Sequence, residues 1–215
     1  FHKKNSLRCR RQYVSSLLNM NFCIYSGTFN PIHNAHIGVA LGVLKHTDTE
    51  KIIFIPSKIP PHKNEEIIPP NHRLNMVKLA AEDYPDFEVS DLELTLPGKS
   101  YSYNTVLKIK ELFQIKDRIN FIIGTDAFEK LDSWYHAQDL ADEVRFIVVP
   151  RCQNFNLELS RKKIKLSNIS YTSVELPFID ISSTEIRYNL KHNLPVNNLI
   201  PEKVFNYIKD NNLYS

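Results

Sequence analysis

Two histidines three positions apart, His33 and His36, stand in the stretch SGTFNPIHNAHI, residues 26–37, after a Ser-Gly-Thr turn and a proline. Side chains at that spacing fall on one face of a helical turn. Four chemistries compete for the pair: metal binding, nucleophilic attack, capping or packing, and hydrogen bonding to a phosphate. A zinc pair lacks a third ligand of suitable spacing nearby. A histidine nucleophile needs an orienting base that spacing does not reveal. The neighbours favour phosphate. Gly27 lets the chain turn tightly off a strand end and leaves room for a ligand, and Pro31 restricts φ. The helix expected to begin near Asn34 or Ala35 presents unpaired N–H groups and the positive end of a dipole. Both imidazoles reach that anion position and would stabilise charge spreading over phosphoryl oxygens.

Further groups of this kind follow along the chain. Residues 55–63 (IPSKIPPHK) form a rigid proline loop carrying Lys58, His62 and Lys63, suited to a polyphosphate or to a plain solvated turn. Asp126, two residues past Gly124, puts a carboxylate at a strand end, where it would accept ribose hydroxyls. Ser182, Ser183 and Thr184 open a helix with Arg187 one turn on. Their hydroxyls, free N–H groups and guanidinium suit the β- and γ-phosphates, and the same residues also suit a simple N-cap. Arg73, in RLNM, reads mostly as packing, and the lone Trp134 favours packing on its surroundings alone.

The elements that must position these groups alternate. Short apolar runs at 22–25, 51–55, 119–123 and 144–149 predict strands, with a shorter one at 87–89 and another at 171–176. Helical spacing runs over 35–46, 72–83 (with Asn71 as N-cap), 104–114, 183–193 and 202–211, with a broken helical region from 126 to 141. Unbroken Val/Ile/Phe strands separated by helices imply an α/β, Rossmann-like, doubly wound parallel sheet covered on both faces, with a C-terminal helical portion. Such sheets bind ligands at the carboxyl ends of their strands. Gly27 and Gly124, two of only five glycines, lie at such ends.

Composition narrows the classes further. The chain has 215 residues, 42% hydrophobic and 24% charged, as in ordinary globular proteins. No apolar run approaches the roughly 20 residues of a membrane span. Three scattered cysteines (Cys9, Cys23, Cys152) point to a reducing, cytoplasmic setting. Residues 1–19 hold five basic side chains and no acid, so the total of +3 leaves −2 on the remainder, no footprint for nucleic acid. The leader is expected to be extraneous or disordered, with residues 20–215 as a single domain starting at Met20. A homo-oligomer is left open.

SGTFNPIHNAHI resembles the G-G-T/S-F-D-P-x-H-x-G-H signature of the nucleotidyltransferase superfamily, and the chain is similar to its bacterial nicotinate-nucleotide adenylyltransferases from residue 22 to 211. Five further blocks carry the resemblance: IPSKIPPHK, RLNM (73–76) with Leu79-Ala80, SYSYNTVL (100–107), FIIGTD (121–126) with Trp134 in LDSWY, and ISSTEIR (181–187). Departures are mild, with Ser26, Asn30 and Ala35 where the family has Gly, Asp and Gly. Arg151-Cys-Gln replaces a usual R-P-G and puts the adenine-side loop in doubt.

The resemblance implies transfer of AMP from ATP to nicotinate mononucleotide, with Mg²⁺ riding on the ATP phosphates and no dedicated metal site. It implies that His33, His36, Thr28, Lys63 and Arg187 serve the phosphoryl transfer, and that Gly27, Gly124, Asp126 and Ser182–Thr184 join them around ATP. Ser102, Asn104, Thr105 and Lys63 would hold the pyridine nucleotide, Trp134 would stack on its ring, and the backbone N–H of Tyr135 would meet the carboxylate. The rivals are an adenylyltransferase for nicotinamide mononucleotide or phosphopantetheine, and a metal-dependent hydrolase using His33 and His36. A nucleotide- or RNA-binding module is disfavoured by the charge of the body.

Overall fold

The computed structural model describes residues 21–61, 67–150, 156–177 and 179–215. Six strands, β1 (Phe22–Gly27), β2 (Lys51–Pro56), β3 (Phe87–Val89), β4 (Ile119–Gly124), β5 (Val144–Val149) and β6 (Ser170–Ser173), form one sheet in the order β3-β2-β1-β4-β5-β6. Every pairing is parallel. The chain winds outward from β1 to β3, then returns to place β4 on the other side of β1. That reversal opens a crevice at the carboxyl ends of β1 and β4, where doubly wound sheets take ligands. Cys23 pairs with Asn120 and Ile24 with Phe121. Continuing that register sets Gly27 level with Gly124, so both strand-end glycines border the crevice.

The period of two along each strand sends alternate residues to opposite faces. Ile24, Ile53, Phe121 and Phe146 enter one core, and Tyr25, Phe54, Ile122 and Ile147 the other. Each such fully buried Ile or Phe contributes about 1.5–3 kcal/mol. Both layers need helices over them. These are α1 (Asn34–His46), α2 (Pro70–Ala81), α3 (Leu92–Thr95), α4 (Ser102–Phe113), α5 (Thr125–Phe128), α6 (Ala137–Glu143), α7 (Leu157–Lys163), α8 (Ser183–Lys191) and α9 (Glu202–Asp210), with a 3₁₀ turn at Leu131–Ser133. Among the described residues no helix is long and apolar enough to cross a membrane.

Several boundaries differ from expectation. Asn71 is not the N-cap of α2; Pro69 holds that place and Pro70 is the first helical residue. A proline there surrenders an N–H that no helical carbonyl would have accepted. α4 begins at Ser102 rather than 104, with extended Tyr101 before it. The last strand ends at Ser173, and helices α3 and α7 were not expected. At 4 and 7 residues they are too short to establish a 3.6-residue period. Residues 1–19 and Met20 lie outside the described residues. The C-terminal helices close one face: Tyr207 of α9 bonds His72 at 2.9 Å and receives the Asn75 side-chain amide of α2 at 3.0 Å.

Candidate active site

β1 delivers the chain to Gly27, where any Cβ would come within 3.0 Å of the Phe29 ring. That ring folds back over the strand end because Phe29 adopts a left-handed φ of 48°. Its edge then supports His36, with centroids 5.1 Å apart, while Tyr25 flanks the same imidazole at 6.0 Å. His33 holds the N-cap position of α1 and is buried, only 5% exposed. The two imidazoles stack with centroids 3.6 Å apart. The backbone N–H of His33 donates to His36 Nδ1 at 3.3 Å. In the neutral ring that leaves the proton on Nε2, which makes His36 a hydrogen-bond donor of the kind a phosphoryl oxygen accepts.

The loop carrying these residues is tied down from distant parts of the chain. Arg187 Nη1 donates to the Asn30 carbonyl at 3.0 Å, Ser183 Oγ to the Pro31 carbonyl at 2.9 Å, and Tyr214 Oη to Asn30 Oδ1 at 2.9 Å. Asn34, the first residue of α1, donates its backbone N–H to the Leu199 carbonyl and its side-chain amide to Asn198. Ser182 caps α8, accepting from the Glu185 N–H at 3.1 Å, and Thr184 receives Arg187 Nη2 at 3.4 Å. The start of α8, with Ser183 lying 152 positions beyond Pro31, therefore abuts the histidine loop.

Arg73 corrects the expectation of simple packing. It is fully buried, and its guanidinium donates to three carbonyls on three segments: Thr28 at 2.8 Å, Lys58 at 3.1 Å and Ile68 at 3.1 Å. Burial pulls its pKa down to about 10, partly offset by Tyr214 and Glu93. Guanidinium geometry suits this work, since one rigid fork serves several acceptors. Only its place in an apolar helix was visible in sequence, and that place hid the role.

On the other side of Gly27 lies an open cleft of about 170 Å³. Gly27, Thr28, Ser57, Pro60, Tyr101, Ser102, Trp134 and Tyr135 line it. Trp134 is half-buried, its ring packed against one core and bordering the cleft, so packing and exposure to a ligand coexist. Tyr101 stacks on Tyr135 at 4.3 Å. Asn104 is exposed and borders a neighbouring cavity of about 210 Å³. Thr105, expected to touch nucleotide, is 1% exposed, and its hydroxyl donates to Glu93 at 2.7 Å.

Glu93 itself escaped the sequence reading, because it sits in the unexpected helix α3. It is 3% exposed. Burial raises its carboxyl above the usual range, against the opposing pull of the Ser100, Thr105 and Ser26 hydroxyls and the Lys58 amide.

Gly27, Thr28, Ser102, Trp134 and Tyr135 thus meet in one cleft, with His33 and His36 stacked at the start of α1 and Ser183 and Arg187 bound to the loop before it. Gly124 lies across the crevice, followed by exposed Asp126 in the first turn of α5. Lys63, His62 and Arg151–Gln153 lie outside the described residues. Among those described, no three His, Cys, Asp or Glu side chains are grouped to hold a metal ion.

Residues 24–189 match the model of the cytidylyltransferase-like family. The nicotinate-nucleotide adenylyltransferase of Bacillus subtilis is 36% identical over 192 residues, which cover 89% of this chain and 96% of that one. The structure of Plasmodium falciparum nicotinic acid mononucleotide adenylyltransferase complexed with NaAD superposes with a TM-score of 0.75 at 25% identity, covering 91% of this chain and 98% of that one.

Proposed function

The chain belongs to the cytidylyltransferase-like family, among its nicotinate-nucleotide adenylyltransferases, and on that premise we propose how its residues divide the work of transferring AMP from ATP to nicotinate mononucleotide. The observation that carries this division is the cleft at the crevice between β1 and β4. There Gly27 and Thr28 line one cleft together with Trp134 and Tyr135, a turn suited to phosphate beside aromatic rings suited to stacking.

A 5′-phosphate oxygen of nicotinate mononucleotide forms the new bond to the α-phosphorus of ATP. The bond from that phosphorus to the oxygen bridging to the β-phosphorus breaks, and pyrophosphate leaves, giving nicotinate adenine dinucleotide. The attacking phosphate is already anionic, so no enzyme nucleophile is required. The protein orients the two nucleotides and neutralises developing charge. His36, fixed as a donor by the His33 N–H, and His33 beside it hold the α-phosphoryl group, a task in which Thr28 and Lys63 share. The α8 start, Ser182 to Arg187, lies toward the β- and γ-phosphates, and Gly124 and Asp126 toward the ATP ribose. Trp134 stacks on the pyridine ring, and the N–H of Tyr135 meets its carboxylate. Mg²⁺ bound to ATP would supply further neutralisation of phosphate charge. The same proposal places the reaction in the cytoplasm, in keeping with three cysteines whose sequence spacing suggests no disulfide framework.

Pyrophosphate release with ATP tests the reading, comparing nicotinate and nicotinamide mononucleotides. Turnover should be efficient with the nicotinate form. Preference for the nicotinamide form, or for phosphopantetheine, would overturn the substrate assignment.

A further inference from the structure

We propose that Glu93 is a positioning residue for the pyridine-nucleotide half of the site, clamping the start of α4 to the end of β1 through the hydroxyls of Thr105 and Ser26. The proposal rests on the adenylyltransferase reading above. Both hydroxyls converge on one oxygen, Thr105 Oγ1 donating to Glu93 Oε1 at 2.7 Å and Ser26 Oγ at 3.4 Å. Thr105 lies in the first turns of α4, and its backbone N–H donates to the Tyr101 carbonyl at 3.2 Å. Holding Thr105 therefore holds Tyr101 and Ser102, which line the cleft beside Trp134. Ser26, Gly27 and Thr28, at the end of β1, line the same cleft. One carboxyl thus ties the cleft-lining residues at the start of α4 to those at the end of β1.

A third segment joins them. Ser100 Oγ accepts the backbone N–H groups of Lys58 and Ile59 at 2.8 and 3.2 Å, so its own proton remains to donate. The Ser100 hydroxyl and the Lys58 amide both favour the charged carboxyl. Arg73, whose guanidinium binds the carbonyls of Lys58 and Thr28, is the cation that senses Glu93. The remaining oxygen, Oε2, is buried and has no hydrogen-bond partner among the described residues. With Oε1 taken by two hydroxyls and the residue only 3% exposed, Glu93 acts through its neighbours. A buried acceptor left half-used is costly; a core position needing only volume would be served by an apolar side chain.

The test is steady-state kinetics and calorimetric binding on Glu93→Ala, Glu93→Gln and Thr105→Val, with circular dichroism on each. Glu93→Ala should raise KM for nicotinate mononucleotide at least tenfold, with KM for ATP within twofold. Glu93→Gln keeps an oxygen facing Thr105 and should restore KM to within threefold of wild type. Thr105→Val removes the same bond from the other partner and should reproduce the alanine effect, which covers the case where Glu93→Ala does not fold. Unchanged KM values, or an equal rise for both substrates, in a folded variant would overturn the clamp. Absence of turnover of nicotinate mononucleotide by the wild type would instead overturn the functional reading, so the two failures are distinct.

Discussion

The imidazoles of His33 and His36 lie face to face, 3.6 Å between centroids and 25° from parallel, while the His33 N–H donates to His36 Nδ1. With Nδ1 accepting, Nε2 of a neutral His36 ring is left to donate. His36→Ala should lower kcat on the order of 100-fold or more, the usual cost of losing one donor to a developing anion. The circular dichroism spectrum should stay that of wild type, because His36 is only half-buried. Near-normal pyrophosphate release would remove His36 from the mechanism.

Trp134 borders the cleft with one face of its surroundings already in the core. Aromatic stacking contributes about 0.5–1.5 kcal/mol beyond area burial, so Trp134→Ala should raise KM for nicotinate mononucleotide roughly tenfold. Trp134→Phe should stay close to wild type. An alanine variant that loses thermal stability while binding the nucleotide normally would return Trp134 to a purely structural place.

Arg73 bonds three carbonyls without solvent access. Arg73→Met keeps the apolar stem and leaves those carbonyls unpaired, at a cost of about 3 kcal/mol. For a chain of this size the thermal midpoint should fall by roughly 6–12 °C. Differential scanning calorimetry reads the result; an unchanged midpoint would mean that water or neighbours replace the guanidinium without loss.

The raised carboxyl of Glu93 gives a pH dependence of definite sign. Its folded pKa exceeds the ordinary value of about 4.3. The stabilisation attached to the neutral acid is complete below that ordinary value and is lost as pH rises through the higher folded one. The amide introduced by Glu93→Gln does not titrate, so the midpoint of that variant minus that of wild type should grow more positive from about pH 4 upward. The groups facing Glu93, namely Ser26, Ser100, Thr105, the Lys58 amide and Arg73, are the same in both proteins, which isolates the carboxyl. A flat difference across the range would contradict the shift.

Much of this was legible along the chain. Apolar runs ending in glycine or proline announced a parallel sheet, because strands buried on both faces carry no polar alternation. The His33–His36 spacing, the prolines after β2 and the hydroxyls before α8 marked the groups able to hold phosphate. All are local signals, written within one turn or one strand.

The roles of Arg73, Glu93, Thr105 and Tyr214 were not legible. Arg73 occupies an apolar helix face, Glu93 a helix of four residues, and Tyr214 bonds Asn30 across 184 positions. Each draws its meaning from partners that sequence distance conceals. A buried polar atom must be satisfied, yet which atom satisfies it depends on where separate loops converge. Local spacing therefore marked the groups proposed to hold phosphate, and the folding of β1, β2, α4 and α8 to one crevice supplied the hydrogen bonds that hold them in place.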